Sequence, residues 1–213
     1  MSKTIEQWVD QLSAVLVEGT QALVDSNSTS DRFLPDAIAW AEYTKDNKGL
    51  EVNHAGVCHT DKLGDWWISE EKKLMAGVAS TTLSEYLASG CNIIFRAPKK
   101  KLTKFQIGML DKVIKMQSGN FRYRVGGLFT ELWPRLKEKA NKILGTNMKT
   151  EEVDYKPKPG IYICSEWSMV SLCFSTGEYK DWKGKAPKDI QEDARFYDLA
   201  IWFGKAQQLI IFA

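Results

Sequence analysis

The sequence predicts an α+β protein in which a small antiparallel sheet packs against helices. Alternating, strand-like stretches and stretches with helical spacing occupy separate parts of the chain, which favours α+β over a regularly alternating parallel fold. Two strand-like runs around a polar turn, VNHAGVC and DWWIS, indicate a hairpin. With 213 residues, of which 44% are apolar and 26% charged, the chain is long enough to bury a sizeable core.

The start of the chain has the pattern of an amphipathic helix. Apolar residues from Ile5 to Leu23 fall on one stripe, so residues 4–26 are predicted to form one helix. We expect residues 1–30 to be a helical extension that covers the sheet, with docking of a partner as the alternative. Residues 31–213 then form the main domain.

The other elements follow from local start and stop signals. Pro98 ends one strand, and Thr103 can cap the helix that follows it. The predicted elements are a helix at 34–44, a strand at 52–58, a turn and strand at 63–69, a helix at 80–89, a strand at 91–98, helices at 102–119, 126–144 and 164–174, a loop at 181–193, and a strand over LIIFA at the C-terminus.

Composition gives no sign of a strongly charged partner. The 29 basic and 27 acidic residues give a net charge of +2, too small a field to indicate a nucleic-acid or membrane-surface protein. The N-terminal segment MSKTIEQWVDQL carries acids and lacks the apolar core of a signal peptide. The four cysteines form no CxxC pair. We therefore expect a cytoplasmic protein with free thiols, no integral membrane segment, no nucleic-acid partner, no metal and no cofactor. A phage-encoded protein, or one released by another route, is the alternative.

The stretch GIYICSEWSMVSLC, residues 160–173, holds a candidate nucleophile. A strand-like run ends and helical spacing begins at Cys164. The unpaired N–H groups and the dipole at a helix start favour a negative charge there, which suits a thiolate, and the same N–H groups can hold an oxyanion. The alternative is that Cys164 is a small buried apolar residue, as free cysteines often are.

A cysteine nucleophile needs a base, and the chain has only two histidines. In EVNHAGVCH, His54 is followed by small residues that leave room for another chain or a substrate. His59 lies near the end of the strand and is predicted to be a solvated turn residue. His54 is therefore the candidate base.

Taken in order, several motifs resemble a known family. NHAGVC, DWWISEE, GVASTTLSEYL, IIFRAP and the distant CSEW are similar to motifs of the circularly permuted papain-like cysteine hydrolases, the NlpC-type enzymes of the YiiX and YebB kind, distantly related to the lecithin:retinol acyltransferase group. The resemblance covers about residues 30–177. GNFRYRVGGLF, residues 119–129, also resembles a family stretch, with Arg124 where an acid is usual.

The resemblance implies a circularly permuted papain-like fold and a set of roles. Cys164 would be the nucleophile and His54 the general base and acid. The neighbouring strand would supply an orienting group: Glu70, or Ser69 if the register slips by one residue. The implied reaction is hydrolysis of amide or peptide bonds through a thioester, with esters, thioesters and transfer of acyl chains between lipids as alternatives. Glu166 would support the helix start.

Other readings of these residues stay open. His54, Cys58 and Cys164 could meet at a zinc ion if they share one face. The chain could also be a non-catalytic binding module of papain-like shape. Glu70 and Glu71 could be a solvated charged pair. The tryptophans Trp66, Trp67 and Trp167 could line a substrate groove or fill the core.

Overall fold

The chain forms an α+β structure, as predicted. The computed structural model describes residues 3–25, 52–71, 78–118, 137–138, 141–142, 145, 163–180, 187–203 and 208–211. Its helices are α1 (Ile5–Ser13), α2 (Leu83–Ala88), α3 (Lys104–Gln117), α4 (Cys164–Thr176) and α5 (Pro187–Glu192). Its strands are β1 (Gln21–Asp25), β2 (His54–Thr60), β3 (Trp66–Glu71), β4 (Val78–Thr82), β5 (Asn92–Pro98), β6 (Phe196–Phe203) and β7 (Gln208–Ile211).

The strands make one sheet in the order β4-β3-β2-β1-β5-β6-β7, with antiparallel pairing between neighbours. The predicted hairpin over β2 and β3 is confirmed, and so are the predicted strands at β5 and β7. Helices α3 and α4 also form where predicted. Helix α2 begins only at Leu83, because the first three residues of the helix predicted at 80–89 belong to β4, a strand that was not predicted. Thr82 and Thr103 cap α2 and α3. Within the described residues, no helix has the length and apolar character needed to cross a membrane.

Strand β1 corrects the predicted helix over residues 4–26. The helix ends at Ser13, and Gln21–Asp25 is a fully buried strand between β2 and β5. Gly19, with a φ of +81°, lies in the turn between them. A short apolar run that is buried on both faces fits the spacing of a helix as well as that of a central strand. The prediction that the helix continues to residue 26 was therefore wrong. Residue 30 is the predicted end of the N-terminal extension. The sheet nevertheless contains β1, which lies before this residue, together with strands that lie after it.

Helices cover both faces of the sheet. On one face α1 and α2 pack Trp8, Leu12 and Leu83 against strand residues such as Ile68 and Phe95. The predicted covering role of the N-terminal helix is therefore confirmed for α1. On the other face, α3, α4 and α5 pack against the alternate strand residues, and this layer contains Leu110, Ile114, Trp167, Met169, Leu172 and Ile190.

The C-terminal part differs from the prediction. The segment predicted as a loop, 181–193, contains α5, which is six residues long and anchored by the buried Ile190. Strand β6 was not predicted, although it pairs with β5 through a bulge between Phe95 and Arg96. The helix predicted at 34–44 and most of the one predicted at 126–144 lie outside the described residues.

Candidate active site

His54 and Glu70 meet on one face of the β2–β3 hairpin. His54 is the first residue of β2, and the register pairs Gly56 with Glu70. Glu70 is thus diagonal to His54 on the same face, and its Oε2 lies 2.7 Å from His54 Nε2. Ser69 lies on the opposite face, where its hydroxyl bonds to His59. Of the two predicted orienting groups, the register brings Glu70 to His54.

Gly56 provides the space for this contact. A Cβ atom at Gly56 would lie 2.8 Å from Ile68 Cγ2, 3.0 Å from the Ser69 carbonyl oxygen and 3.3 Å from Glu70 Cβ. Real Cβ atoms do not tolerate the first of these distances without a shift of the neighbour. The absence of a side chain at Gly56 therefore lets Glu70 lie close to the β2 backbone and reach His54.

Glu70 has a second partner on α2. The Tyr86 hydroxyl donates a hydrogen bond of 2.6 Å to Oε2, the same oxygen that faces His54. Both side chains are buried, Glu70 with 3% and Tyr86 with 7% of their surface exposed. Burial raises the pKa of Tyr86 well above its usual value, and the nearby Glu70 carboxylate raises it further. Tyr86 therefore stays a neutral hydrogen-bond donor. The sequence predicted no role for Tyr86, which lies within the motif GVASTTLSEYL.

Cys164 is the first residue of α4, as predicted. Ile163 is the N-cap, and its N–H donates to Glu166 Oε2 at 3.1 Å, so Glu166 supports the helix start. The N–H groups of the first turn have no intrahelical carbonyl partner and carry the positive end of the helix dipole. Cys164 itself is 4% exposed. Its sulfur therefore lies in a buried site at the positive end of the α4 dipole.

A row of serines lets α4 lie close to β2. Ser165, Ser168, Ser171 and Ser175 are all buried. The hydroxyls of the last three donate to backbone carbonyls three residues back, so burying them leaves no donor unsatisfied. Phe174 is 63% exposed, because the side of α4 that faces the sheet is this small-residue side.

His54 and Cys164 meet at the end of the sheet. Burial by itself lowers the pKa of His54. The charge of Cys164, the charge of Glu70 and hydrogen bonds that the ring donates to both side chains raise it by more, so that this pKa lies well above 6.5. Since His54 Nε2 bonds to Glu70, Nδ1 is the ring nitrogen left for the thiol. An imidazolium is thus favoured between a carboxylate and the sulfur. This order of groups can move a proton between the sulfur and a substrate.

A second pair of buried carboxylates lies beside the site. Glu71 is fully buried, and neither of its carboxylate oxygens has a hydrogen-bond partner in the described part of the chain. Burial raises the pKa of Glu71 to about 8, the nearby Glu166 raises it further and His54 lowers it. Glu70 and Glu71 are therefore not the solvated charged pair considered from the sequence.

We expect Glu71→Gln to change how stability depends on pH. In the unfolded chain this carboxyl group loses its proton near 4.5, whereas in the folded protein it holds the proton up to about 8. The free energy of unfolding therefore falls as pH rises between these values and levels off above them. Gln mimics the protonated acid, so the variant should be more stable than wild type by roughly 1–3 kcal/mol at alkaline pH. Urea unfolding at several pH values measures this difference, and parallel curves for the two proteins would contradict it.

The second histidine is not the solvated turn residue that was predicted. Strand β2 continues to Thr60, so His59 lies inside it and is buried. Its Nε2 lies 2.7 Å from Ser69 Oγ, which lies 2.6 Å from Ser80 Oγ. Burial lowers the pKa of His59, which keeps the ring neutral. His59 therefore ties β2, β3 and β4 together on the face opposite His54.

The possible zinc ligands do not form a metal site. Cys58 is four residues along β2 from His54, a separation of about 13 Å in an extended strand, too far to share one ion. Its thiol is buried in the core beside Ile68, and burial raises its pKa. Among the described residues, no three histidine, cysteine or acidic side chains are arranged to hold a metal ion.

The tryptophans mostly contribute to packing. Trp167 is fully buried, and its Nε1 donates to Gln117 Oε1, which links α4 to α3. Trp66 is half-buried against the core layer of α1 and α2. Of the three, Trp167 thus belongs to the core rather than to a groove. Arg124 and the motif around it lie outside the described residues.

Comparisons with known proteins give limited similarity. No protein-family model matches the chain, and no curated protein is significantly similar to it. Among solved structures, the chain is similar to the metalloprotein YiiX from Escherichia coli O157:H7, with a TM-score of 0.49 and 14% sequence identity. The similarity covers 89% of this chain and 99% of that chain. What the site can do is therefore decided by its own side chains.

Proposed function

We propose that the protein is a cysteine hydrolase that cleaves amide or peptide bonds, with Cys164 as nucleophile, His54 as general base and acid, and Glu70 as the orienting group. The observation that carries this proposal is the order of contacts from Glu70 through His54 to Cys164 at the start of α4. The resemblance of the sequence motifs to the circularly permuted papain-like hydrolases supports the same assignment. Ester and thioester bonds are open to the same chemistry.

The reaction follows from the positions of these groups. As general base, His54 holds the proton of Cys164 and is an imidazolium, and the thiolate attacks the carbonyl carbon of the substrate. Backbone N–H groups at the start of α4 stabilise the resulting oxyanion. The His54 imidazolium then protonates the leaving amine, and a thioester to Cys164 remains. His54 next removes a proton from water, which attacks the thioester and releases the acid and the free thiol.

Glu70 acts on His54 rather than on the substrate. Its carboxylate accepts from Nε2–H, which directs Nδ1 towards Cys164 and stabilises the positive charge that forms on the ring. This contact and the charge of Cys164 keep the pKa of His54 raised, so the ring stays charged at neutral pH and loses its charge only as pH rises through that raised value. We therefore expect activity to persist through neutral pH and to fall in alkaline solution.

Alkylation with iodoacetamide, read by peptide mass spectrometry, tests the pairing of Cys164 with His54. Cys173 lies on the same helix and is more exposed than Cys164, so it is a control for access. At about pH 6.5, where a free thiol with a pKa of about 8.5 is almost fully protonated, we expect Cys164 to react faster than Cys173.

In His54→Gln, which keeps a donor near Glu70, the rate at Cys164 should fall by roughly tenfold or more, while the rate at Cys173 stays the same. Slow labelling of Cys164 that does not respond to this substitution would overturn the proposed function and favour a non-catalytic module.

A further inference from the structure

The hydrogen bond between Tyr86 and Glu70 has no role in the triad described above. Glu70 Oε2 receives two donors, His54 Nε2 at 2.7 Å and the Tyr86 hydroxyl at 2.6 Å. The Glu70 carboxylate lies in a buried site, where an ionised group is costly unless it is hydrogen-bonded. The Tyr86 hydroxyl therefore stabilises the charged form of Glu70.

Helix α2 holds this hydroxyl in a fixed position. The helix begins directly after β4, and Thr82 and Glu85 form a capping box at its start. Leu83, Leu87 and the Tyr86 ring pack in the core layer that also contains Ile68 of β3. The ring cannot move without disturbing this packing, so its hydroxyl is set at a constant distance from β3.

We propose that Tyr86 is a positioning residue of the active site: its hydroxyl fixes the rotamer and the charge of Glu70, and through Glu70 it sets the orientation and proton affinity of His54. The inference rests on the proposed cysteine hydrolase function. Tyr86 itself touches neither the substrate nor the reacting atoms. It acts as the fourth member of a chain that runs from Tyr86 through Glu70 and His54 to Cys164.

The sign of the effect follows from the order of the groups. Without the hydroxyl, the buried Glu70 carboxylate loses a donor to Oε2, and its ionised form becomes less favourable. A Glu70 that takes up a proton, or that leaves the rotamer facing His54, favours the imidazolium less. In Tyr86→Phe, we therefore expect His54 to lose its proton at lower pH than in wild type. The alkaline limb of the activity profile should move to lower pH with it.

The first readout is the NMR titration of the His54 ring, which needs no substrate. The chain has only two histidines, so the His59→Gln variant assigns the signals. The Tyr86→Phe variant keeps the ring that packs in the core. Tyr179→Phe is a matched control, because Tyr179 is also buried but lies in the core layer on the other face of the sheet, where it stacks on Phe196. We expect the midpoint of the His54 titration to shift to lower pH in Tyr86→Phe and to remain at its wild-type pH in Tyr179→Phe.

The second readout is a double-mutant cycle on hydrolysis of p-nitrophenyl acetate. Tyr86→Phe should lower kcat by roughly 10-fold to 100-fold, with little change in KM, because one hydrogen bond to a charged group is lost. If Tyr86 acts through Glu70, the double variant Tyr86→Phe/Glu70→Gln should have the kcat of Glu70→Gln alone.

The outcomes separate this inference from the proposed function. An unchanged His54 titration in Tyr86→Phe would overturn the positioning role, and so would losses of kcat that add up in the double variant. Both outcomes are possible when Cys164→Ala abolishes hydrolysis, so the proposed function would then stand without the positioning role. If Cys164→Ala hydrolyses the ester as fast as wild type, the proposed function fails and the catalytic part of the inference fails with it. A lower melting temperature in Tyr86→Phe with an unmoved titration would assign Tyr86 to packing alone, which also overturns the inference.

Discussion

Replacement of Cys164 by alanine is expected to abolish hydrolysis while the protein stays folded. In the proposed reaction the Cys164 thiolate forms the covalent intermediate. No other described thiol lies at a helix start beside His54, since Cys58 and Cys91 are in the core layer of α1 and α2 and Cys173 is nine residues further along α4. We expect a loss of at least roughly 1,000-fold in kcat for Cys164→Ala, and a loss of similar size for His54→Gln, because residues that act as one unit are not additive.

Two further variants make this result specific. Cys173→Ala removes a thiol from the same helix outside the site and should leave kcat unchanged. Cys164→Ser keeps the shape of the side chain but replaces the thiol by a much weaker nucleophile, so it should be nearly as inactive as Cys164→Ala. Initial rates with p-nitrophenyl acetate, together with circular dichroism of each variant, measure both points. Full activity in Cys164→Ala would place the reaction elsewhere in the protein.

The second large effect is expected from a single added methyl group at Gly56. The Cβ atom of Gly56→Ala would lie 2.8 Å from Ile68 Cγ2 and 3.0 Å from the Ser69 carbonyl oxygen. Ile68 is fully buried, so relief of the clash requires β2 and β3 to move apart or Ile68 to leave its rotamer. Such overpacking destabilises a core by about 1–3 kcal/mol. It also displaces Glu70 from His54, so activity should fall by more than the loss of folded protein explains.

Gly108→Ala is the matched control for Gly56→Ala. Gly108 lies within α3, and a Cβ atom there would meet nothing within 4 Å. The same chemical change should therefore stabilise the protein, by up to about 1 kcal/mol, since alanine is the better helix former. Urea unfolding of both variants gives the two free energies. Equal stability of Gly56→Ala and wild type would show that Glu70 does not depend on the space at Gly56.

Local signals in the sequence were sufficient for much of the fold. Several elements have a boundary residue or a spacing of apolar residues that predicts them locally. These are the hairpin of β2 and β3, the capped helices α2 and α3, strand β5 and the start of α4 at Cys164. The errors fall where a pattern had two readings. The apolar run of β1 suited a helical stripe, and α5 is too short to show a period. Only pairing with β2 and β5 decides that Gln21–Asp25 is a strand.

The sequence by itself determined which residue types were available for the proposed chemistry. Two histidines and four cysteines leave few pairs, and the helical spacing that begins at Cys164 singles out one thiol. What it left open was the partner of His54, because a shift of one residue in register exchanges Glu70 for Ser69.

The tertiary structure decided that question and added groups with no sequence signal. The pairing of Gly56 with Glu70 sets the face on which each β3 side chain lies, and this pairing depends on contacts between strands rather than on any local preference. The Tyr86 hydroxyl and the buried carboxylate of Glu71 come from elements that meet only in the folded chain. Residue identity therefore indicated the proposed nucleophile and base, whereas packing across the sheet decided which groups surround them.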